Sequence, residues 1–295
     1  MTIPIRRLPY PVLREIFKQM DPESLINFIR TNNSSIKLLP AMSASVSVNY
    51  HNKDPFILVT TASGIQSELP FGYYRKVMKV FKWIELDCLK IVVSDKFKRK
   101  SCLRLLSLLK HCKFTSCNCL MIQSVEEGVV LRKEAIMDIT KQLKTINEMF
   151  IDVSMEELPE NLDPALAVTV TNGDLLADTE IMLLEAEEIL VESSRIGDTG
   201  ANLIIKNWIA HGESLRYLEL KLADEWKLFD DDNLGMEHLL FDLDFQVRGE
   251  GRFETKHLGS VLNFEDGFDI QRDDGKKATI TSNQQVVRLL IISNP

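Results

Sequence analysis

The chain has 295 residues, 45% apolar and 26% charged, with 13 Gly and 10 Pro, which excludes collagen and long disordered tracts. Its formal charge of −8 argues against a general affinity for nucleic acid. No apolar run approaches the ~18 residues of a membrane span and the start lacks a secretory core, so an intracellular protein, cytoplasmic or nuclear and without a membrane partner, is expected.

Length suits one large domain or two ordinary ones. The five cysteines, Cys88, Cys102, Cys112, Cys117 and Cys119, are read as reduced thiols. Charge is uneven. Eight basic residues between Lys90 and Lys113 face only Asp95, whereas thirteen acidic residues between Asp152 and Asp198 face only Arg195. Both blocks are expected to be solvated faces, the basic one on an amphipathic helix carrying Leu103, Leu105, Leu106, Leu108 and Leu109.

In chain order, Leu8-Pro9-Tyr10-Pro11 opens a helix with Pro11 at its first position. Val12, Leu13, Ile16, Phe17 and Met20 follow at helical spacing on one face. Asp21-Pro22-Glu23 then supplies an N-cap, a first-turn Pro and a favourable acid. Leu25, Ile26, Phe28 and Ile29 form the second apolar face, Arg30 sits in the last turn, and the polar run from Thr31 to Ser35 breaks it. A short third helix is expected from Ile36 to Leu39, stopped by Pro40. So short a hairpin cannot bury both faces alone, and each large apolar side chain left in water forgoes ~1.5–3 kcal/mol. The rest of the chain or another protein must cover it.

This run, Leu8-Pro9-x-x-Val12-Leu13-x-x-Ile16-Phe17-x-x-Met20-Asp21-Pro22-x-x-Leu25, resembles an F-box, and its Met-Asp-Pro variant is similar to the large nematode F-box families. The resemblance implies a module that docks on a Skp-type linker protein and tethers the chain to a cullin–RING ubiquitin ligase. Carried over, the linker-binding positions are Leu8, Pro9, Val12, Leu13, Ile16, Phe17, Met20, Leu25 and Ile26, partly by direct contact and partly by packing the module. Many F-boxes carry a Cys or Trp in the third helix; here Thr31-Asn32-Asn33-Ser34 stands there.

Short apolar runs then recur as expected strands: Val46 to Tyr50, Phe56 to Thr61, Cys119 to Ile122, Met149 to Val153, Leu166 to Val170, Ile189 to Val191 and Tyr217 to Leu222. Helical stretches, notably Lys133 to Leu143 and Ala201 to Ile209, lie between them and favour an α/β arrangement with a parallel sheet. Ile189-x-Val191 and Leu218-x-Leu220 are 29 residues apart, within the period of a leucine-rich repeat. Ser194 occupies the loop-holding place in the first copy and Ala223 in the second. Asp198 is expected to cap the following helix, Leu203, Ile204, Trp208 and Ile209 to pack it, and Gly212 to end it. An irregular leucine-rich-repeat-like domain is the expectation.

Near the end, Phe268 to Arg272 and Lys277 to Ile280 alternate around Asp273-Asp274-Gly275, a β-hairpin signal. Val286 to Ile292 is expected as an edge strand. This hairpin and the Trp208-x-x-x-Gly212-x-x-Leu215-x-x-Leu218 spacing resemble the F-box-associated type 2 domain of the same nematode families, a region implied to recognise a protein target.

Three chemistries are considered and set aside. Asp198-Thr199-Gly200 mimics an aspartic-protease loop, but such an enzyme needs two carboxylates sharing a proton. His111, Cys112, Cys117 and Cys119 lack paired zinc clips. Asp230-Asp231-Asp232 with Glu237 lacks calcium-loop spacing. Trp83, Trp208 and Trp226 are read as packing residues.

The expected organisation is an F-box over residues 1–45 and an associated, repeat-like domain over 46–295. The expected function is a non-catalytic adaptor without cofactor or metal. The alternative is an interaction scaffold outside ubiquitin chemistry, whose N-terminal helices cap a solenoid.

Overall fold

The computed structural model describes residues 8–31, 39–51, 54–95, 97, 99–158, 164–192, 194–212, 214–222, 234–283 and 286–292. Helices α1 (Tyr10–Gln19) and α2 (Pro22–Thr31) come first, followed by β1 (Ser43–Tyr50), β2 (Phe56–Thr61), β3 (Gln66–Pro70) and α3 (Tyr74–Val80). Strand and helix then alternate through β4 (Trp83–Val93), α4 (Leu103–Cys112), β5 (Ser116–Ser124), α5 (Met137–Gln142) and β6 (Thr145–Asp152). They continue through β7 (Pro164–Val170), α6 (Asp178–Met182), β8 (Glu188–Val191), α7 (Asp198–His211), β9 (Tyr217–Lys221) and α8 (Leu234–Leu239). Six strands follow: β10 (Phe245–Val247), β11 (Gly251–Glu254), β12 (Val261–Phe264), β13 (Phe268–Gln271), β14 (Lys277–Asn283) and β15 (Val286–Ile292).

The architecture is mixed α/β. Among the described residues, thirteen strands form one sheet in the order β10-β13-β14-β15-β9-β8-β7-β6-β5-β4-β1-β2-β3, and β11–β12 form a separate pair. From β4 to β9 each strand lies parallel to the next in chain order. Parallel neighbours need a crossover, and crossover helices cover one face of a sheet. Here that face carries Leu89, Leu120, Met149, Val168, Ile189, Leu218 and Leu289, all buried in one cluster with Leu105, Leu108 and Leu109 of α4 and Ile204, Ile205 and Trp208 of α7.

Because strand side chains alternate, the next residue along each strand points to the other face. Lys90, Met121, Phe150, Thr169, Leu190, Glu219 and Arg288 stand in one register row there. All seven are only partly buried, so this face is open over much of its width.

The strand expectations are met, with corrections elsewhere. β15 is no edge strand; it lies between β14 and β9, antiparallel to both. Its one charged residue is tolerated because Arg288 Nε donates to Glu219 at 2.8 Å. The helix expected from Lys133 begins as a 3-10 turn (Lys133–Ala135) before α5. Pro11 is the second residue of α1, not the first. The expected third helix begins at Ile36, and residues 32–38 lie outside the described residues, as do Ala223, Trp226 and Asp230-Asp231-Asp232. Trp83 is 56% exposed and is therefore not a core residue.

Candidate functional site

Two surfaces bear on the F-box and body readings, one on α1 and one on the open sheet face. The helical hairpin is built as the sequence indicates. Pro9 caps α1, and the Leu13 N–H donates to Pro9 O at 3.0 Å. Asp21 Oδ1 accepts the Ser24 N–H at 2.8 Å at the start of α2. That bond, with help from the Ser24 hydroxyl, holds the Asp21 carboxyl below its ordinary range.

Where the apolar faces go is more informative. Leu13 and Phe17 of α1 and Leu25, Ile26 and Ile29 of α2 are buried within the protein's own core. α2 packs against α3, β2 and β3, and Phe17 meets Phe28 with ring centroids 5.3 Å apart. Ser63 Oγ donates to Lys18 O at 3.4 Å, and Glu23 N–H donates to Ser67 Oγ at 3.4 Å, stitching the hairpin to the β2–β3 end of the sheet. Of the nine sequence-predicted linker positions, Leu13, Phe17, Leu25 and Ile26 are sealed inside. Pro9 and Val12 are exposed, and Leu8, Ile16 and Met20 are partly buried. Val12, Ile16 and Met20 are spaced four apart and form, with Pro9, a stripe along one side of α1. Tyr10, 52% exposed beside this stripe, was not singled out from sequence, because aromatic residues at helix starts are as readily read as core.

Near the starts of β4, β5 and β6, where the pairing register is irregular, Asp87, Asn118 and Asn147 are linked in series: Asn118 Nδ2 donates to Asp87 Oδ1 at 3.2 Å and Asn147 Nδ2 to Asn118 Oδ1 at 3.1 Å. The open face is covered at one end. Glu188 of β8 is 1% exposed. Its carboxylate accepts the backbone N–H groups of Lys256, of His257 at 2.9 Å and of Leu258 at 2.8 Å. Beside it Glu187 meets His257 Nε2 at 3.2 Å and Lys256 Nζ at 3.5 Å, with Arg216 at 3.8 Å. Burial works to raise the Glu187 carboxyl, but the bonds from His257 and Lys256 prevail and hold it below its ordinary value. Phe253 stacks on Tyr217 of β9, centroids 5.8 Å apart at 16°. The β11–β12 arm is thus anchored over the β8–β9 end of the open face, a contact between residues about 70 apart that no local pattern announces. The acidic block is therefore not simply a solvated face, as the sequence suggested.

The α7 region follows its sequence with three changes. Ser194, in the expected loop-holding place, donates from Oγ to Lys221 O at 2.7 Å. Asp198 is the first helical residue rather than the cap; one oxygen takes the Thr199 N–H at 2.7 Å and the other meets His238 Nδ1 at 2.8 Å. The protease-like loop thus holds a buried carboxylate already engaged by α8. Leu203 is 46% exposed, while Ala201, Asn202, Ile204, Ile205 and Trp208 pack inward. Gly212 ends the helix in extended backbone, and its place is set by close approach: a Cβ there would strike the Trp208 indole. Arg272 lies over that indole, 5.4 Å from its centroid, and donates to Trp208 O at 3.0 Å and to Gly212 O, so a cation finishes the carbonyl end of α7.

Cys102, Cys112 and Cys117 behave as packing residues. Burial pushes Cys102 and Cys117 up to about 12 and Cys112 up to about 11, so these thiols stay protonated at neutral pH. His111 meets Tyr74 edge-on, centroids 5.5 Å apart. No group of three metal-ligating side chains gathers among the described residues, and no described helix is long and apolar enough to cross a membrane.

Residues 5–38 match the sequence profile of the F-box domain. No curated protein and no solved structure matches the chain. The chain therefore carries an F-box at the α1–α2 hairpin. F-box domains generally bind Skp-type linkers and serve cullin–RING ligases as target adaptors; their proteins are typically adaptors rather than enzymes.

Proposed function

We propose that this chain is a target-recognition adaptor of a cullin–RING, SCF-type ubiquitin ligase. Residues 1–45 are the linker-docking module and residues 46–295 the body that binds a target protein. The observation that carries this is the F-box match over residues 5–38 on a hairpin whose Pro9 and Val12 are exposed and whose Ile16 and Met20 are partly exposed. In this account Leu8, Pro9, Val12, Ile16 and Met20 contact the linker directly. Leu13, Phe17, Leu25 and Ile26 act by packing, since they lie in the chain's own core. A few apolar anchors of this kind can dominate an interface.

The body is a degenerate leucine-rich-repeat-like array. Its support is the run of parallel strands in chain order, the Asp87-Asn118-Asn147 series and the Ser194 loop bond. The paired β13–β14 hairpin, turning at Gly275 with φ 87°, supports a nematode-type F-box-associated domain. Function needs no bond chemistry or cofactor here. Holding the target beside a ubiquitin-loaded enzyme raises their effective concentration. The compartment is intracellular, where such ligases work.

The test is co-expression with a Skp-type linker. Wild type should co-purify with it, and Val12→Glu with Ile16→Glu should not, while circular dichroism of the variant stays that of the folded chain. Retained co-purification of that folded variant contradicts the proposal.

One observation favours a second role for the same helices. α2 covers β2 and β3, as the cap of a repeat array would. A scaffold outside ubiquitin chemistry would need only this cap. Deleting residues 1–40 should lower the melting temperature under both readings, but only the adaptor reading requires linker binding by the intact chain.

A further inference from the structure

The two ends of the sheet are finished differently. At one end β3 lies against α2 and closes on Pro70. At the other, β10 pairs with β13 alone among the described residues. Edge strands are normally blunted by Lys, Pro, a bulge or a covering element, because unpaired N–H and C=O groups template another strand. β10, Phe245-Gln246-Val247, is short, but among the described residues it carries no Lys, Pro or bulge and no element pairs with its outer side.

The ladder tells which groups are free. The Arg248 N–H donates to Gly267 O at 2.8 Å, so Arg248 and, by alternation, Gln246 turn their backbone groups toward β13. Phe245 and Val247 therefore aim their N–H and C=O groups outward. The same edge is apolar, with Val247 77%, Phe241 69% and Phe245 44% exposed. Phe245 stands edge-on to Phe268, centroids 5.5 Å apart, at a cavity of about 600 Å³ that Met236 and Leu240 also line.

The rim is acidic. Glu237 and Asp266 line that cavity, and Asp244 lines the groove on the far side of Phe245. Of the cations nearby, Arg248 is paired with Asp269 at 3.4 Å and Lys206 with Asp242 at 3.3 Å, while Lys277 lines the Asp244 groove and not the Glu237–Asp266 cavity. An open strand edge, exposed apolar side chains and a cavity lined by two carboxylates and no cation fit one kind of occupant.

We infer that β10 receives an extended segment of another protein, alternating apolar and basic residues, as one further strand of the sheet. Main-chain bonds to Phe245 and Val247 give the affinity, and the carboxylates select Lys or Arg. The inference rests on the adaptor reading only in calling the occupant a target for ubiquitination.

The experiment is fluorescence anisotropy of the purified full chain with a labelled nine-residue peptide alternating valine and lysine, against a valine–glutamate control. The lysine peptide should bind saturably at low salt, at least about tenfold tighter than the control, and weaken as salt screens the rim. Val247→Pro deletes one outward N–H without touching the Gln246 and Arg248 bonds to β13, and should weaken binding about tenfold. Glu237→Lys with Asp266→Lys should reverse the preference toward the glutamate peptide, and carries the test should the proline variant not fold. Equal binding of both peptides, no saturable binding, or unchanged affinity in these variants overturns the inference. So does a dimer in sedimentation that Val247→Pro dissolves, which would make a second copy the occupant. Peptide binding needs no linker protein, so loss of linker co-purification with intact peptide binding overturns the adaptor reading alone, and the converse overturns this inference alone.

Discussion

Replacing Glu188 with alanine tests whether a single buried carboxylate anchors the β11–β12 arm. In the wild-type chain that carboxylate is 1% exposed and receives the N–H groups of Lys256, His257 and Leu258. A hydrogen bond to a charged group contributes ~1.5–3 kcal/mol net, but removing the carboxylate also removes its own desolvation cost. With three donors orphaned, the arm should lose about 3 kcal/mol of local stability. That corresponds to amide exchange faster by on the order of 100-fold. β11 and β12 pair only with each other among the described residues, so the loss should stay local. Hydrogen exchange read by mass spectrometry should show residues 251–264 released and β4–β9 unchanged. Glu188→Gln keeps one carbonyl acceptor and should fall between the two. Unchanged exchange across 255–260 in Glu188→Ala would refute the anchor and leave the Phe253–Tyr217 stack to hold the arm.

Two further outcomes follow from the same contacts. Gly212→Ala drives a Cβ into the Trp208 indole and disturbs the Arg272 bonds to Trp208 O and Gly212 O, so it should destabilise by ~1–3 kcal/mol and shift tryptophan fluorescence; an unchanged melt would mean the indole moves aside freely. Glu187 is bonded as the carboxylate by His257 and Lys256, so its contribution is whole above its ordinary value of 4.5 and drains away as pH falls through its lowered folded value; arm exchange should rise in that acid window, and a Glu187→Gln variant should lack the rise.

Much of this fold is legible in the sequence because one face of the sheet is buried and the other open. That asymmetry leaves alternation in Ile189-x-Val191 and Leu218-x-Leu220, and the helices between reveal the parallel order. β15 is the instructive exception. Val286 to Ile292 is apolar on both sides of Arg288, which is how a central strand reads; the charge suggests an edge until Glu219 supplies its partner. β10 to β12 were not anticipated, since exposed short strands carry no periodic apolar signal. The α1 and α2 faces show the limit most plainly. Helical spacing tells which side is apolar but not what covers it, and here the chain itself covers Leu13, Phe17, Leu25 and Ile26 while leaving Pro9 and Val12 to solvent. The Glu188 anchor was invisible because its partners lie 68 to 70 residues away.

The most direct measurement is a hydrogen-exchange footprint of the intact chain with and without a purified Skp-type linker. The account requires slower exchange over residues 8–20 on adding the linker, centred on the Pro9–Met20 stripe, with β4 to β9 unaffected. Exchange over that helix that does not change at saturating linker would contradict it.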